Sequence, residues 1–369
     1  MRRIRLFIVV CAAVLGLTGA GTCASASSRG PVPAPSPRLR IATWQRYLDP
    51  RRPDKPWAWQ AFERATGAVL GAVGMGNSDD LIAAARSDTF DLIVAPSHLV
   101  PDLIGMNRLV PIPVSRLSHY ASLQPNLQHV RYGLVDGVDY CVPYAWGPLA
   151  LAYDKLACTQ PPRSWRALWE PTWRGRVAHW DDMALLWTAA LASGHPDCFH
   201  LEGHALWEAG RWAARLCAQG ALLWRDETAQ VVDMAAGRVA LCAADPSAVA
   251  RANRLSGRGG GTWALAYPEE GVTGFVDNYC VTTSCRDLKL ALAFIDSACS
   301  PPVQAALSNF NACGPASAAA VRQISPARRA QLNLDDPNHL NRLILWRPVP
   351  NAADYARIMA DARSGRLLQ

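Results

Sequence analysis

The sequence predicts two α/β lobes, each a sheet covered by helices, with the ligand-handling residues placed where strands end. Three observations predict this. Short apolar runs alternate with stretches of helical periodicity, the pattern of parallel sheets buried on both faces. The chain has 369 residues and is 50% hydrophobic, too long for one ordinary core and apolar enough to fill two. The aromatic and acidic side chains that could hold a ligand stand directly after predicted strands, where open α/β sheets bind their ligands.

Taken in order, the first element is an export signal. Arg2, Arg3 and Arg5 precede an apolar run over residues 6–17, and Ala24-Ser25-Ala26 follows. Gly16, Gly19 and Gly21 interrupt a run already shorter than the roughly 20 apolar residues a spanning helix needs. Residues 1–26 therefore read as a leader cleaved after Ala26, so that the mature chain begins near Ser27. The rival is a lipid anchor on Cys23, but Ala20 and Thr22 stand where a lipoprotein signal usually has Leu and a small residue. Residues 27–38, rich in Pro and Ser, form a linker in either case.

Residues 39–43 form an apolar strand that ends at Trp44, and residues 57–65 a helix closed by Gly67. A helix at 79–86, a strand at 90–95 stopped by Pro96 and a short strand at 140–144 continue the alternation. Ser164 caps a turn of helix that presents Trp165, Leu168 and Trp169 to a core, and Pro171 and Gly175 lead into a strand at 176–180. That strand delivers Asp181 and Asp182, the second of which also suits the N-cap of a helix at 183–192.

The formal charge is +7, of which Arg2, Arg3 and Arg5 belong to the leader. The remainder is scattered and forms no basic stripe, so nucleic acid is not a predicted partner. Nine cysteines follow the leader: Cys141, Cys158, Cys198, Cys217, Cys242, Cys280, Cys285, Cys299 and Cys313. In an oxidising compartment at least one disulfide bond is expected among them, and the absence of a CxxC pair argues against a zinc ribbon or a thioredoxin-type site.

Three local signals are weaker than they look. His195-Pro-Asp-Cys198-Phe-His200 with His204 offers metal-ligand chemistry, but Gly203 weakens the helix that would bring two imidazoles together, and a solvated loop is the better reading. Gly257-Arg-Gly-Gly-Gly261 precedes a strand at 262–267 and not a helix, so it is a turn and not a phosphate loop. Ser97-His98 lacks a GxSxG elbow, and adjacent residues of a strand face opposite sides.

The order Trp44-x-x-Tyr47, Asp91-Leu-Ile-Val-Ala-Pro-Ser97, Pro143-Tyr-Ala-Trp146-Gly147, Ser164-Trp-Arg-Ala-Leu-Trp169-Glu-Pro171, Gly175, Asp181-Asp182 and Ala236-Gly237-Arg-Val239 resembles the polyamine-binding proteins of ABC importers, of spermidine/putrescine type, from about residue 39 to the C-terminus. The resemblance implies a periplasmic-binding-protein type II fold, two α/β lobes with a hinge and an inter-lobe ligand cleft. Lobe 1 is expected over 39–143 and 277–321, and lobe 2 over 144–276 and 322–369. Such proteins hold amines with carboxylates and aromatic faces, where cation–π attraction contributes roughly 0.5–2 kcal/mol. Carried over position by position, the ligand-binding residues are Trp44, Tyr47, Ser97, Asp182, Asp277 and Phe275, the last standing where the family has Trp. Asp245 appears where a Trp is expected, and Arg347 near a position that is usually Gln. Leu185 and Leu99 replace an acid and a Tyr, so the cage departs from that of a polyamine and an amine-containing zwitterion is a rival ligand. The implied protein is a periplasmic monomer that needs no cofactor or metal, catalyses nothing and docks on an ABC permease of the inner membrane. Two alternatives remain at this point: an exported receptor that senses a ligand, and a thiaminase-like enzyme with Cys141 or Cys313 as nucleophile.

Overall fold

The computed structural model describes residues 38–57, 59–257 and 261–369. The leader, most of the linker and three residues of the Gly257–Gly261 turn lie outside the described residues.

One mixed sheet organises the chain, in the strand order Leu222–Trp224, Val177–Trp180, Leu241–Ala244, Val142–Asp154, Thr273–Val281, Leu92–Pro96, Arg38–Trp44, Val69–Met75. Its two ends are parallel, as the strand–helix alternation predicts. Its middle is not. Val142–Asp154 runs antiparallel to both of its neighbours on this path, and Thr273–Val281 runs antiparallel to Leu92–Pro96 as well. The expected short strand at 140–144 is the start of a 13-residue strand, all of it buried. Hydrophobic periodicity carries no information about strand direction, and Pro143 and Pro148 within the run read locally as breaks.

These two buried middle strands join separate cores. Leu39, Ile41, Leu92, Val94, Val142, Val276 and Phe294 belong to the largest apolar cluster. Leu151, Trp165, Leu185, Trp187, Leu216 and Tyr355 belong to a second. Trp224, Val231, Met234 and Trp263 form a third beside it, on the far side of the sheet's second half. Each fully buried Leu, Ile or Val contributes about 1.5–3 kcal/mol relative to exposure, so each cluster carries its own weight in stability.

The predicted helices are present with small shifts of boundary. Ser78–Arg86 is capped by Asn77, whose Oδ1 accepts from the Asp80 amide at 2.9 Å. Ser164 caps the 3-10 turn Trp165–Trp169 through the Arg166 amide at 3.1 Å. Asp182 Oδ1 accepts from the Ala184 amide at 2.8 Å at the start of Ala184–Ser193.

The disulfide expectation is not met. All nine cysteines are free thiols, and Cys141, Cys198, Cys242, Cys280, Cys299 and Cys313 are buried. A buried thiol packs as a small apolar side chain, which is a sufficient reason for its place in a core.

Candidate functional site

A β-bulge builds the centre of the site. Asp277 pairs with Ala145 while Asn278 pairs with Pro143, so Tyr144 is the extra residue on its strand. Bulges bend a strand and redirect a side chain. Here Asp277 is fully buried and receives three donors: Trp44 Nε1 at 3.0 Å, Tyr47 OH at 2.7 Å and Arg46 Nη2 at 2.9 Å. Trp44 ends the strand Arg38–Trp44, and the 3-10 turn Gln45–Tyr47 that follows brings Arg46 and Tyr47 over the end of the sheet.

Three rings surround the Arg46 guanidinium, with its carbon 5.3 Å from the Trp44 ring centre, 5.1 Å from Tyr47 and 4.9 Å from Phe275. Phe275 lies two residues before Asp277 on the same strand, so the two share a face. Opposite Phe275 stands Gly147, where a Cβ would come within 2.9 Å of the ring, so glycine is needed for the ring to lie there. Tyr144 packs edge-on against Tyr47 at 5.5 Å and holds it in place.

The remaining side of Arg46 is closed from the other part of the molecule. Its Nη1 pairs with Glu227, a residue of the helix Glu227–Ala236 that contributes Val231 and Met234 to the third core. Glu227 also receives Arg251 Nη1 at 3.3 Å. Next to it Thr228 Oγ1 donates to Gln45 Oε1 at 3.3 Å. These contacts link the turn after the first strand to helices of the third core.

The charges are held by their surroundings. Burial acts against the Arg46 cation, but Glu227, Tyr47, Asp277 and Asp245 outweigh it and keep its pKa well above the ordinary value. Burial pushes the Asp277 carboxyl above its usual range, although Arg46, Tyr47 and Trp44 all favour the ionised form. Burial also raises the Tyr47 phenol far enough that it remains a donor.

The structure brings Trp44, Tyr47, Phe275 and Asp277 together and distributes the other expected site residues differently. Asp245 caps the helix Pro246–Leu255 through the Ala248 amide at 2.9 Å and contributes to the field on Arg46. Ser97 is buried, and its hydroxyl donates to the Trp346 carbonyl at 2.8 Å. Asp182 is exposed and accepts from the Ala184 amide in the turn that leads into the helix Ala184–Ser193. Arg347 is half-exposed and pairs with Asp197 at 2.8 Å. Arg46 and Glu227 were not predicted. Arg46 occupies an unspecified position of Trp44-x-x-Tyr47, and Glu227 is separated from it by 181 residues, a distance that local pattern does not bridge.

The family model for bacterial extracellular solute-binding proteins matches residues 57–332. The chain belongs to that family. The spermidine/putrescine-binding periplasmic protein of Escherichia coli (strain K12) is 22% identical over 42% of this chain and 43% of its own length. The putrescine/agmatine-binding protein of Pseudomonas aeruginosa is 27% identical over 39% of this chain and 38% of its own length. The aligned part thus spans less than half of these curated relatives. A solved structure, the spermidine/putrescine ABC transporter substrate-binding protein of Streptococcus pneumoniae, matches with a TM-score of 0.74 over 90% of this chain and all of that one, at 15% identity. The shared architecture is the two-lobed type II binding-protein fold, which agrees with the fold class the sequence predicts.

The Arg46–Glu227 pair ties the turn Gln45–Tyr47 to the helix Glu227–Ala236. Glu227→Gln keeps the shape and removes the charge shared by Arg46 and Arg251. It is expected to cost about 1.5–3 kcal/mol of stability, the range for a hydrogen bond to a charged group. Urea unfolding checks this as a lower midpoint for the variant.

Proposed function

We propose that this protein is exported to the periplasm, captures a small amine-containing solute of polyamine-like or zwitterionic type as a monomer, and delivers it to the permease of an ABC importer. The observation that carries the reading is the site of Trp44, Tyr47, Phe275 and Asp277 beside a cavity of about 550 Å³: ring faces and carboxylates there hold a positive group, the Arg46 guanidinium, and the cavity leaves room for a small solute. The contacts from this site to helices of the third core suit a protein that closes on its ligand and presents the closed form to a partner. The E. coli and P. aeruginosa relatives are named for binding spermidine, putrescine and agmatine, which supports a nitrogenous solute.

Catalysis is not part of this reading. Cys313 lies near the site, but burial pushes its thiol up to about 12, and burial also raises the Cys141 thiol well above its ordinary value. A nucleophilic cysteine needs the thiolate, and neither thiol supplies one at neutral pH. A thermal-shift screen of amines, amino acids and thiamine-like compounds is expected to give at least one stabilising ligand, because binding to the folded state raises the midpoint. Mass spectrometry of that ligand after incubation is expected to recover it unchanged. Recovery of a cleaved product, lost on Cys313→Ser, would establish the enzyme reading instead.

A further inference from the structure

The cation in the aromatic box belongs to the protein. Arg46 places its guanidinium between the three rings and on Asp277, where an amine ligand would place an ammonium. Glu227 gives it a second carboxylate, and only 10% of the Arg46 side chain is exposed. A free amine entering this box would have to displace a tethered cation that already has both carboxylates. Tethering gives Arg46 a high effective concentration at the site, and no bulk amine at micromolar level matches it.

The space beside the box has the opposite preference. A cavity of about 550 Å³ is lined by Arg46, Arg251 and Arg254 together with Gln45, Asn311 and Phe310. Asp49 also lines it, but Arg51 takes both of its carboxylate oxygens at 2.9–3.0 Å. Arg254 donates to the Phe310 carbonyl at 3.2 Å and has no carboxylate partner among the described residues. Burial and the neighbouring Arg251 both disfavour its charge. Arg46 Nε, buried, has no hydrogen-bond partner among the described residues. A guanidinium N–H group only donates, so what Arg46 Nε lacks is an acceptor. A volume of this size suits a small molecule.

We propose that Arg46 is a resident substitute for a ligand ammonium, so that the cleft excludes plain amines and selects a carboxylate-bearing solute held by Arg46, Arg251 and Arg254. This rests on the solute-capture reading above and narrows its ligand to the acid-bearing branch. The carboxylate supplies the acceptor that Arg46 Nε lacks and the counter-charge that Arg254 lacks, and bidentate guanidinium–carboxylate geometry fixes its orientation.

Removal of the side chain from Cγ onward provides the test. Arg46→Ala leaves a hole whose missing contents are ethylguanidinium. Titration calorimetry with ethylguanidinium and with n-propylammonium is expected to show binding to Arg46→Ala at least about 100-fold tighter than to the parent, because two buried carboxylates regain a cation. Thermal melts with and without ethylguanidinium give the same answer if the variant is destabilised, and Arg46→Gln, which retains bulk and polarity, serves as the second variant. For the parent, linear dicarboxylates of three to six carbons and citrate are expected to raise the melting temperature, and Arg254→Gln to weaken that effect about tenfold or more. Binding of n-propylammonium or putrescine to the parent as tightly as to Arg46→Ala overturns the resident-cation assignment. Failure of every carboxylate to stabilise the parent overturns the anionic assignment. If amines or neutral solutes stabilise the parent in the screen while these arms fail, solute capture stands and this inference falls. If nothing in either set binds, solute capture itself is in question.

Discussion

Asp277→Ala is expected to cost about 3–5 kcal/mol of stability, read as a lower urea midpoint at neutral pH. Asp277 is completely buried, and its carboxylate is the common acceptor of Arg46, Tyr47 and Trp44. Without it Arg46 keeps only Glu227, while the Tyr47 hydroxyl and the Trp44 indole N–H become buried donors without an acceptor. An orphaned buried donor costs about 1–3 kcal/mol, and the losses overlap because the three groups share one partner. Asp277→Asn retains one acceptor oxygen and is expected to lose less. Phe275→Leu keeps apolar volume and removes the ring face from Arg46, at about 0.5–2 kcal/mol. An unchanged urea midpoint in Asp277→Ala would show that the carboxylate does not hold Arg46.

Read from sequence alone, Asp277 is a ligand contact whose loss spares stability. In the structure its carboxylate is committed to side chains of the protein itself, and the difference comes from one residue. Trp44, Tyr47 and Asp277 stand out in the sequence because their types match the family's positions in order, and Phe275 because it keeps an aromatic ring where the family has Trp. Arg46 does not, because its role depends on a bulge at Tyr144, a carboxylate on a distant strand and a second one, Glu227, on a helix of another core. The same limit explains the sheet. Its parallel ends follow from local alternation of strand and helix, whereas its antiparallel middle depends on residues 142–154 pairing with residues 273–281, a contact with no local signature. Ser97 and Arg347 occupy the expected places in the chain but turn to the Trp346 carbonyl and to Asp197, partners that appear only once the chain is folded.

Acidification is expected to destabilise the protein through two buried histidines. Burial lowers both His98 and His179 to about 4. His179 Nδ1 accepts from the Trp180 amide at 2.8 Å, so the proton sits on Nε2, which donates to Thr188 Oγ1 at 2.9 Å. A second proton on Nδ1 would face that amide N–H. His98 lies edge-on to the rings of Trp187 at 6.1 Å and Trp346 at 5.3 Å, surroundings that cannot solvate an imidazolium. Between pH 6.5 and 4 the unfolded chain therefore binds more protons than the folded one, and stability falls as pH falls. For a shift from an ordinary value near 6.5, the loss at pH 5 is about 2 kcal/mol per histidine, or about 4 kcal/mol for the two. It is complete below about pH 4, and none of it is present above about pH 7. His339, also lowered by burial, acts in the same direction. Asp49, Asp91 and Asp197, whose carboxyls are lowered by their partners, lose stability only at still lower pH. Urea unfolding at pH 7.5 and pH 5 isolates the histidine share when the parent is compared with His98→Phe/His179→Asn. The parent is expected to lose about 4 kcal/mol more than the double variant over that interval, whatever the variant's stability at pH 7.5. Equal losses in the two proteins would mean that both imidazoles accept protons in the folded state.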